Sequence, residues 1–265
     1  MKIICLLKFT PDVDAFEYDY ENNVLLREKS KQIINPDDAC ALGFALKLKK
    51  TNPEIEIEVV TMAPLGVKKN MEDVLRRHVD KGMIISDSVF GGSDTLATSI
   101  ILGTYLSTAE YDVILTGSQT LDGDTAHVPA QLAEYLGISH MSAIMKIDEL
   151  TFMDGCPHVQ VDTEKFTDTY KIAFPAILSV RRESKYKLPF VRFADLDLDV
   201  SDKLSIIDNT ILKIDTKSIG LKGSATKVVK TYMQTYENKE KIIVQNDAEG
   251  IEKVYEFLKE NGYLK

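Results

Sequence analysis

The first eight residues constrain the fold more than any other stretch. Residues 2–8 (KIICLLK) form an unbroken apolar run, the pattern of a strand covered on both faces. Such a strand needs helices on either side, and the chain goes on to supply them. Asn35-Pro36-Asp37-Asp38 opens a helix whose apolar positions are Ala41, Leu42, Ala45, Leu46 and Leu48. Residues 54–62 alternate and then turn apolar, as a second strand does. Residues 67–79 read as an amphipathic helix, 83–85 as a short strand, 95–106 as an apolar helix and 112–115 as the next strand. This alternation implies right-handed crossovers and a parallel sheet. Ligands of such sheets bind beyond the carboxyl ends of the strands. The loops 35–38, 62–66, 86–94 and 117–125 all fall at that edge.

Residues 115–136 (LTGSQTLDGDTAHVPAQLAEYL) are the most informative of these. Small residues (Gly117, Ser118, Gly123, Thr125, Ala126) let a ligand approach the backbone. The following helix, with Val128, Leu132, Ala133 and Leu136 on one side, leaves first-turn N–H groups unpaired and its dipole favours an anion. That arrangement would hold a nucleotide's phosphates without a lysine. The same residues also read as an ordinary strand–helix turn with Asp122 or Asp124 as the N-cap.

The rest of the chain sets limits. With 265 residues, it lies near the upper limit of one core, as a domain plus a tail. A net charge of −9 argues against non-specific nucleic-acid binding. No apolar run approaches a membrane span, and residues 1–3 begin a strand rather than a signal peptide, so the expected location is cytoplasmic. Cys5, Cys40 and Cys156 form no Cys-x-x-Cys, so no iron–sulfur or zinc framework is expected, and Cys5 and Cys40 read as buried thiols. His78, His127, His140 and His158 lack metal-ligand spacing; His127 stands out because it sits in the opening loop. Residues 9–31 read as a long acidic loop with a turn at 21–23. Beyond residue 139, strands are expected at 141–147, 159–163, 169–172 and 174–180, with a turn at 153–155. From 183 to 223 no periodic element is visible. Residues 187–204 read as extended, lying across another chain, since a structureless stretch of that length is uncommon within a domain. A last strand (239–245) and helix (248–261) are expected. The division is then a 1–183 ligand-binding domain and a 184–265 partner-docking arm.

Several motifs, in order, are shared with one family. ICLLK, INPDDACALGFALKLK, VTMAPLG, SDSVFGGSDTLATSIILG, GSQTLDGDTAHVPAQLAEYLG, FPAILSV and GLKGSATKVV resemble the beta subunit of electron transfer flavoproteins along nearly the whole chain. The resemblance implies a Rossmann-like, mostly parallel α/β sheet with helices on both faces. It also implies a C-terminal arm that wraps an alpha subunit carrying the other flavin. Beta subunits of the family hold either AMP or a second FAD. Residues 122–129 (DGDTAHVP) resemble the DGDTAQVG form of electron-bifurcating members rather than the DDDxNQTG form of simple carriers. They depart from it at His127 and Pro129, and Pro129 removes one N–H donor. Residues 86–98 resemble SDxxFxGxDTxAT of the bifurcating members, which implicates Ser86, Asp87, Phe90, Gly92, Asp94, Thr95 and Thr98. Gly91 and Gly92 would admit a planar ring, and Thr95 and Thr98 share a helix face from which they can hydrogen-bond it. A glycine turn capped by Ser93 or Asp94 accounts for the same residues.

By motif alignment, Leu6, Asn35 and Met62 fall where the family contacts adenine. Asp122, Gly123, Asp124, Thr125, Ala126, His127 and Val128 fall around ribose and phosphates. Asn35 also reads as a plain helix cap and Met62 as ordinary core. The resemblance implies that FAD in this chain takes hydride from NADH. One electron goes to a low-potential acceptor such as ferredoxin and the other, through the alpha-subunit FAD, to a flavin-dependent dehydrogenase, in either direction. No side chain is expected to be catalytic and no metal is expected. Two alternatives are a simple carrier holding AMP and a stand-alone nucleotide-binding regulator. One region departs from the family: after FPAILSV, residues 181–191 lack its Asn-Glu-Pro-Arg stretch and Pro-Ser-Leu loop, and 194–202 are acidic where the family is basic. That loop anchors the partner dehydrogenase in the family, so the partner's identity is affected.

Overall fold

The opening apolar run is an interior strand. The computed structural model describes residues 1–12, 18–19, 24–25, 31–163, 165–227 and 243–264. Strand β1 (Lys2–Leu6) is followed by β2 (Phe9–Pro11), β3 (Tyr18–Asp19), β4 (Val24–Leu25) and β5 (Gln32–Ile34), then by α1 (Pro36–Thr51) and β6 (Glu56–Met62). Next come α2 (Lys68–Leu75), β7 (Lys81–Ile85), α3 (Thr95–Leu106), β8 (Val113–Gly117), α4 (Val128–Leu136) and β9 (Ser139–Ile147). Then follow α5 (Glu149–Met153), β10 (His158–Asp162), β11 (Thr167–Lys171), β12 (Ala176–Val180), β13 (Leu204–Ile207), α6 (Asn209–Leu212), α7 (Gly220–Gly223) and α8 (Ala248–Glu260).

Nine strands make one sheet in the order β11-β10-β9-β12-β8-β1-β6-β7-β13. All its pairings are parallel except those of β10 with β9 and β11. Because side chains alternate along a strand, β1 divides its residues between two cores. Ile3 and Cys5, with Leu7 just past the strand, join α1 and α2 on one face; Ile4 and Leu6 join α3 and α4 on the other. The expected α/β sheet with helices on both faces is therefore the observed one. From β1 the chain crosses to β6 and β7 on one side, then returns to β8 on the other. The gap between the carboxyl ends of β1 and β8 is the point where the winding reverses, and there a ligand crevice belongs.

Several expectations need correction. The helix read over 67–79 is only Lys68–Leu75, after a short 3-10 turn at Leu65–Val67. The chain reverses at His78 (φ 66°), and Asp80 then accepts the Ile57 amide at 2.7 Å, tying the start of β7 to β6. The stretch 9–31 is not simply a loop: β2 pairs with β5 and β3 with β4, both antiparallel. The turn at 21–23 lies outside the described residues. In the stretch without visible period, β13 pairs in parallel with β7, from Leu204 opposite Gly82 to Ile207 opposite Ile85. The strand that closes the edge of this chain's own sheet thus follows directly on 187–204, the segment expected to lie across another chain, and shares Leu204 with it. An edge strand of four residues has too short a pattern to show in the sequence. Residues upstream are also held: Arg76 Nε donates to Leu198 O and Arg77 Nε to Pro189 O. The backbone of Lys187 crosses α1 at Gly43, where a Cβ would lie 2.8 Å from the Lys187 carbonyl carbon. Cys5 is buried, but Cys40 is only half-buried.

The chain divides into two compact units, Met1–Lys227 and Val228–Lys265, so residues 184–227 belong with the first. In the second, the expected helix is α8, whose first turn is capped by Asp247 accepting from Gly250 N at 2.8 Å. Of the strand expected at 239–245, residues 243–245 form no strand and the rest lie outside the described residues.

Candidate functional site

A cavity of about 370 Å³ opens between the ends of β1 and β8. Three residues at the start of α1 shape it. Asp38 is buried; its Oδ2 accepts from Lys8 N and its Oδ1 from Gly117 N, both at 2.8 Å. One carboxylate thus holds the ends of β1 and β8. Asp37 accepts from Gln119 N (3.1 Å) and Arg182 N (3.2 Å), tying in the loops after β8 and β12. Asn35 donates to Gln119 O (2.7 Å) and accepts from Leu121 N (3.2 Å). It stands at the N-cap of α1 but caps nothing with its side chain, a correction to the cap reading. Burial pushes the Asp38 carboxyl up to about 7, against the two amides that lower it, and burial raises Asp37 as well.

A second lock lies on the α3 side. Asp94 caps α3, its Oδ1 accepting from Ala97 N at 3.0 Å, while its Oδ2 accepts from Thr226 N and Oγ1 at 2.9 and 3.0 Å. Ser93 instead donates to Phe90 O. Ser224 Oγ receives Asp94 N and donates toward the carbonyls of Gly92 and Gly220. The GLKGSAT segment therefore fastens residues 219–226 to the wall that carries Thr95 and Thr98. Although burial raises the Asp94 carboxyl, these donors together hold it below its ordinary value.

Behind the wall residue Thr116 lies a polar cluster that does not itself line the cavity: Thr116 Oγ1 and Ser179 Oγ are 2.8 Å apart, and His140 Nε2 lies 2.9 Å from the same Ser179 oxygen. Burial lowers the His140 pKa. At the far side, α4 begins at Val128 with His127 as its N-cap and no side chain bonded to its first turn. Neither Asp122 nor Asp124 caps it, contrary to the simple-turn reading. Asp122 Oδ1 accepts from Lys8 Nζ and Gly123 N, each at 2.8 Å, and Asp124 adopts φ 47° with its amide on Thr120 Oγ1. Val128 and Pro129, which open α4, line the cavity, and Gln131 N is bonded to His127 O.

Of the residues singled out from sequence, Leu6, Met62, Asp94, Thr95, Thr98, Gly123, Thr125, Ala126, His127 and Val128 line this cavity. Seven do not. Asn35, Asp122 and Asp124 shape the loop that lines it without lining it themselves. The Ser86 amide donates to Ile207 O, Asp87 caps the turn at Ser88–Phe90 and accepts from Asn209 N, Phe90 is core, and Gly92 (φ 74°) faces Leu221. Sequence reasoning passed over Asp38, Thr116 and Lys8, all on the wall. Asp38 looked like an ordinary first-turn acid, and Lys8 like the polar end of a strand. The pocket read as holding phosphates without a lysine does have one on its wall. With Leu6, Leu7, Leu102 and Val128 supplying apolar surface, the cavity suits a ligand with a flat apolar part and an anionic part.

These features define a doubly wound α/β protein with its ligand cleft at the reversal of strand order. A family model described as the electron transfer flavoprotein domain matches residues 22–187. The beta subunit of an electron transfer flavoprotein from Clostridium acetobutylicum is 31% identical, over 100% of both chains. Subunit CarD of a caffeyl-CoA reductase-Etf complex from Acetobacterium woodii is 29% identical, over 88% of this chain and 87% of its own. Protein FixA of Azotobacter vinelandii is 31% identical, over 87% of this chain and 83% of its own. The chain belongs to the electron transfer flavoprotein family, and its likeness is to the beta subunits. No helix among the described residues is long and apolar enough to cross a membrane.

Proposed function

We propose that this chain is the FAD-holding beta subunit of a cytoplasmic, heterodimeric electron transfer flavoprotein of the bifurcating kind. In this reading it works with an alpha subunit carrying its own FAD. It takes hydride from NADH and passes electrons to ferredoxin and to a flavin-dependent dehydrogenase, or the reverse. The observation that carries the reading is the convergence of both family-like loops, 86–98 and 122–129, on the cavity at the β1/β8 reversal. The residues fit the group. The α4 first turn has no side-chain cap, and a Cβ at Gly123 would meet nothing within 4 Å, so pyrophosphate oxygens could reach backbone amides. Thr95 and Thr98 offer hydroxyls to a ring, and Leu6, Met62 and Leu102 offer it an apolar wall. Bound FAD supplies the hydride and one-electron chemistry. The chain's own contribution is to hold and orient the ring, keep water from it and present hydroxyls to its polar edge.

Docking is assigned to two exposed apolar surfaces. Phe190 and Phe193, 93% and 92% exposed, precede the acidic stretch 194–202 and stand next to Lys187 and Arg192; they suit a dehydrogenase that offers apolar pockets. On α8, Ile251, Val254, Tyr255 and Phe257 are exposed and suit the alpha subunit. The relative from Acetobacterium woodii, named as a subunit of a reductase–Etf complex, supports a partner of this class.

The size of the cavity favours a second reading. About 370 Å³ is near the lower end of the roughly 300–1,000 Å³ spanned by ligand clefts, which suits AMP better than a whole dinucleotide. Counting the FAD and AMP released per copurified heterodimer decides the matter. Two FAD support the proposal; one FAD with one AMP replaces it with the simple carrier.

A further inference from the structure

The cavity's wall carries little that could neutralise an anion. Among the described residues lining it, Lys8 is the only lysine or arginine, in a chain whose net charge is −9. The two carboxylates on the wall are already consumed. Asp38 accepts the amides of Lys8 and Gly117, and Asp94 accepts those of Ala97 and Thr226 together with the Thr226 hydroxyl. The Lys8 side chain starts from the cavity wall just past the end of β1, where its amide is fixed to the buried Asp38. Its ammonium meets Asp122 Oδ1 at 2.8 Å, with the two side chains 47% and 41% exposed. The same Asp122 oxygen also accepts Gly123 N at 2.8 Å, so Asp122 keeps a donor when the lysine leaves.

We infer that Lys8 is the cation that receives the phosphate of a bound nucleotide, and that Asp122 is the counter-ion it leaves. The inference rests on the nucleotide-binding reading above and adds the residue that selects phosphate. An exposed carboxylate pair holds a lysine weakly. A phosphate group offers more charge and more acceptor oxygens, and charge-assisted bonds to it are stronger. Lys8 therefore changes partner, and the uncapped amides of α4 complete the anion's shell. Asp122 keeps the ammonium positioned beside the cavity while it is empty of phosphate, and it sets a threshold that a neutral nucleoside cannot repay.

The test titrates the full chain, freed of endogenous nucleotide, with adenosine, AMP, FAD and inorganic pyrophosphate by calorimetry. Lys8→Met is expected to weaken AMP and FAD by about 3- to 10-fold and to leave adenosine unchanged. Lys8→Arg is expected to restore most of the loss. Asp122→Asn is expected to raise the preference for AMP over adenosine. An AMP-to-adenosine ratio unmoved by Lys8→Met overturns the inference, because a lysine that merely supports the loop would weaken both ligands alike. A lowered ratio in Asp122→Asn overturns the counter-ion role. If the wild-type chain binds neither nucleoside nor nucleotide, the function proposed above fails on its own. Lys8 then stands as an anion ligand if pyrophosphate binds and is lost in Lys8→Met, and is overturned if pyrophosphate does not bind.

Discussion

Gly117→Ala is the sharpest probe of how the cavity is built. Gly117 ends β8, and a Cβ there would lie 2.3 Å from Asp38 Oδ1, 2.6 Å from Asp37 Cβ and 2.7 Å from Asp38 N. Two of those atoms are fixed to the first turn of α1, so no rotamer change relieves the contact, and the helix must part from the strand. Overpacking of this kind costs about 1–3 kcal/mol. Moving the strand also stretches the bond from Gly117 N to Asp38, one of a class worth about 1.5–3 kcal/mol. The two losses overlap, which puts the expected destabilisation at about 3 kcal/mol. For a unit the size of Met1–Lys227, that corresponds to a fall in Tm of about 6–12 °C. Gly123→Ala is the matched control. It lies on the same cavity, but its Cβ meets nothing within 4 Å, so its stability should stay within about 0.5 kcal/mol of wild type. Both are measured by urea and thermal melts of the full chain. If Gly117→Ala melts with wild type, or if Gly123→Ala is the worse of the two, then the close packing of α1 on the end of β8 is not what holds the cavity together.

Other consequences can be checked independently. Asp38 has its folded-state carboxyl raised to about 7, above an unfolded value of about 3.9. The folded chain therefore keeps a proton that the unfolded chain releases, and this group's contribution to stability falls as pH rises from about 4 to 7 and is level above that. The change is as much as about 4 kcal/mol, and urea melts of Asp38→Asn should lack that part of the wild-type pH slope; equal slopes in both proteins refute the assignment. Gly220→Ala puts a Cβ 2.2 Å from Val89 O at a φ of +62°. It should cost about 2–3 kcal/mol and speed tryptic cleavage at Lys222 and Lys227; an unchanged digest would show that residues 219–226 are not fastened there. On the FAD reading proposed above, Thr98→Val should alter the absorbance of flavin held in this chain while moving stability by no more than about 0.5 kcal/mol. An identical flavin spectrum removes Thr98 from the ring's surroundings.

Much of this protein was legible before any coordinate. β1 is readable because its run of apolar residues suits only a strand with cover on both sides, and the helices that follow carry the matching apolar faces. Helix α3 falls on residues 95–106, the run read as an apolar helix, and Asp94 caps it because a short acid before a helix accepts its free amides. Once strands and helices alternate, the edge that collects the ligand loops follows from crossover handedness. The residues at that edge were singled out by their resemblance to family motifs, and ten of them line the cavity. The loop at 115–136 was equally readable as a site, though not the detail of its caps.

Local pattern alone determined the covered strands, the helical faces and the edge at which the site lies, since periods of two and 3.6 residues are written within a dozen positions. Tertiary structure alone decided which polar atoms meet. Asp38 grips Gly117 from 79 positions away and Asp37 grips Arg182 from 145. Lys8 finds Asp122 at a separation of 114. β13 becomes an edge strand only because β7 offers it free carbonyls and amides. Hydrogen bonds formed across such distances leave no period in the chain, so the roles of Asp38 and Lys8 arise where the strand ends are brought together.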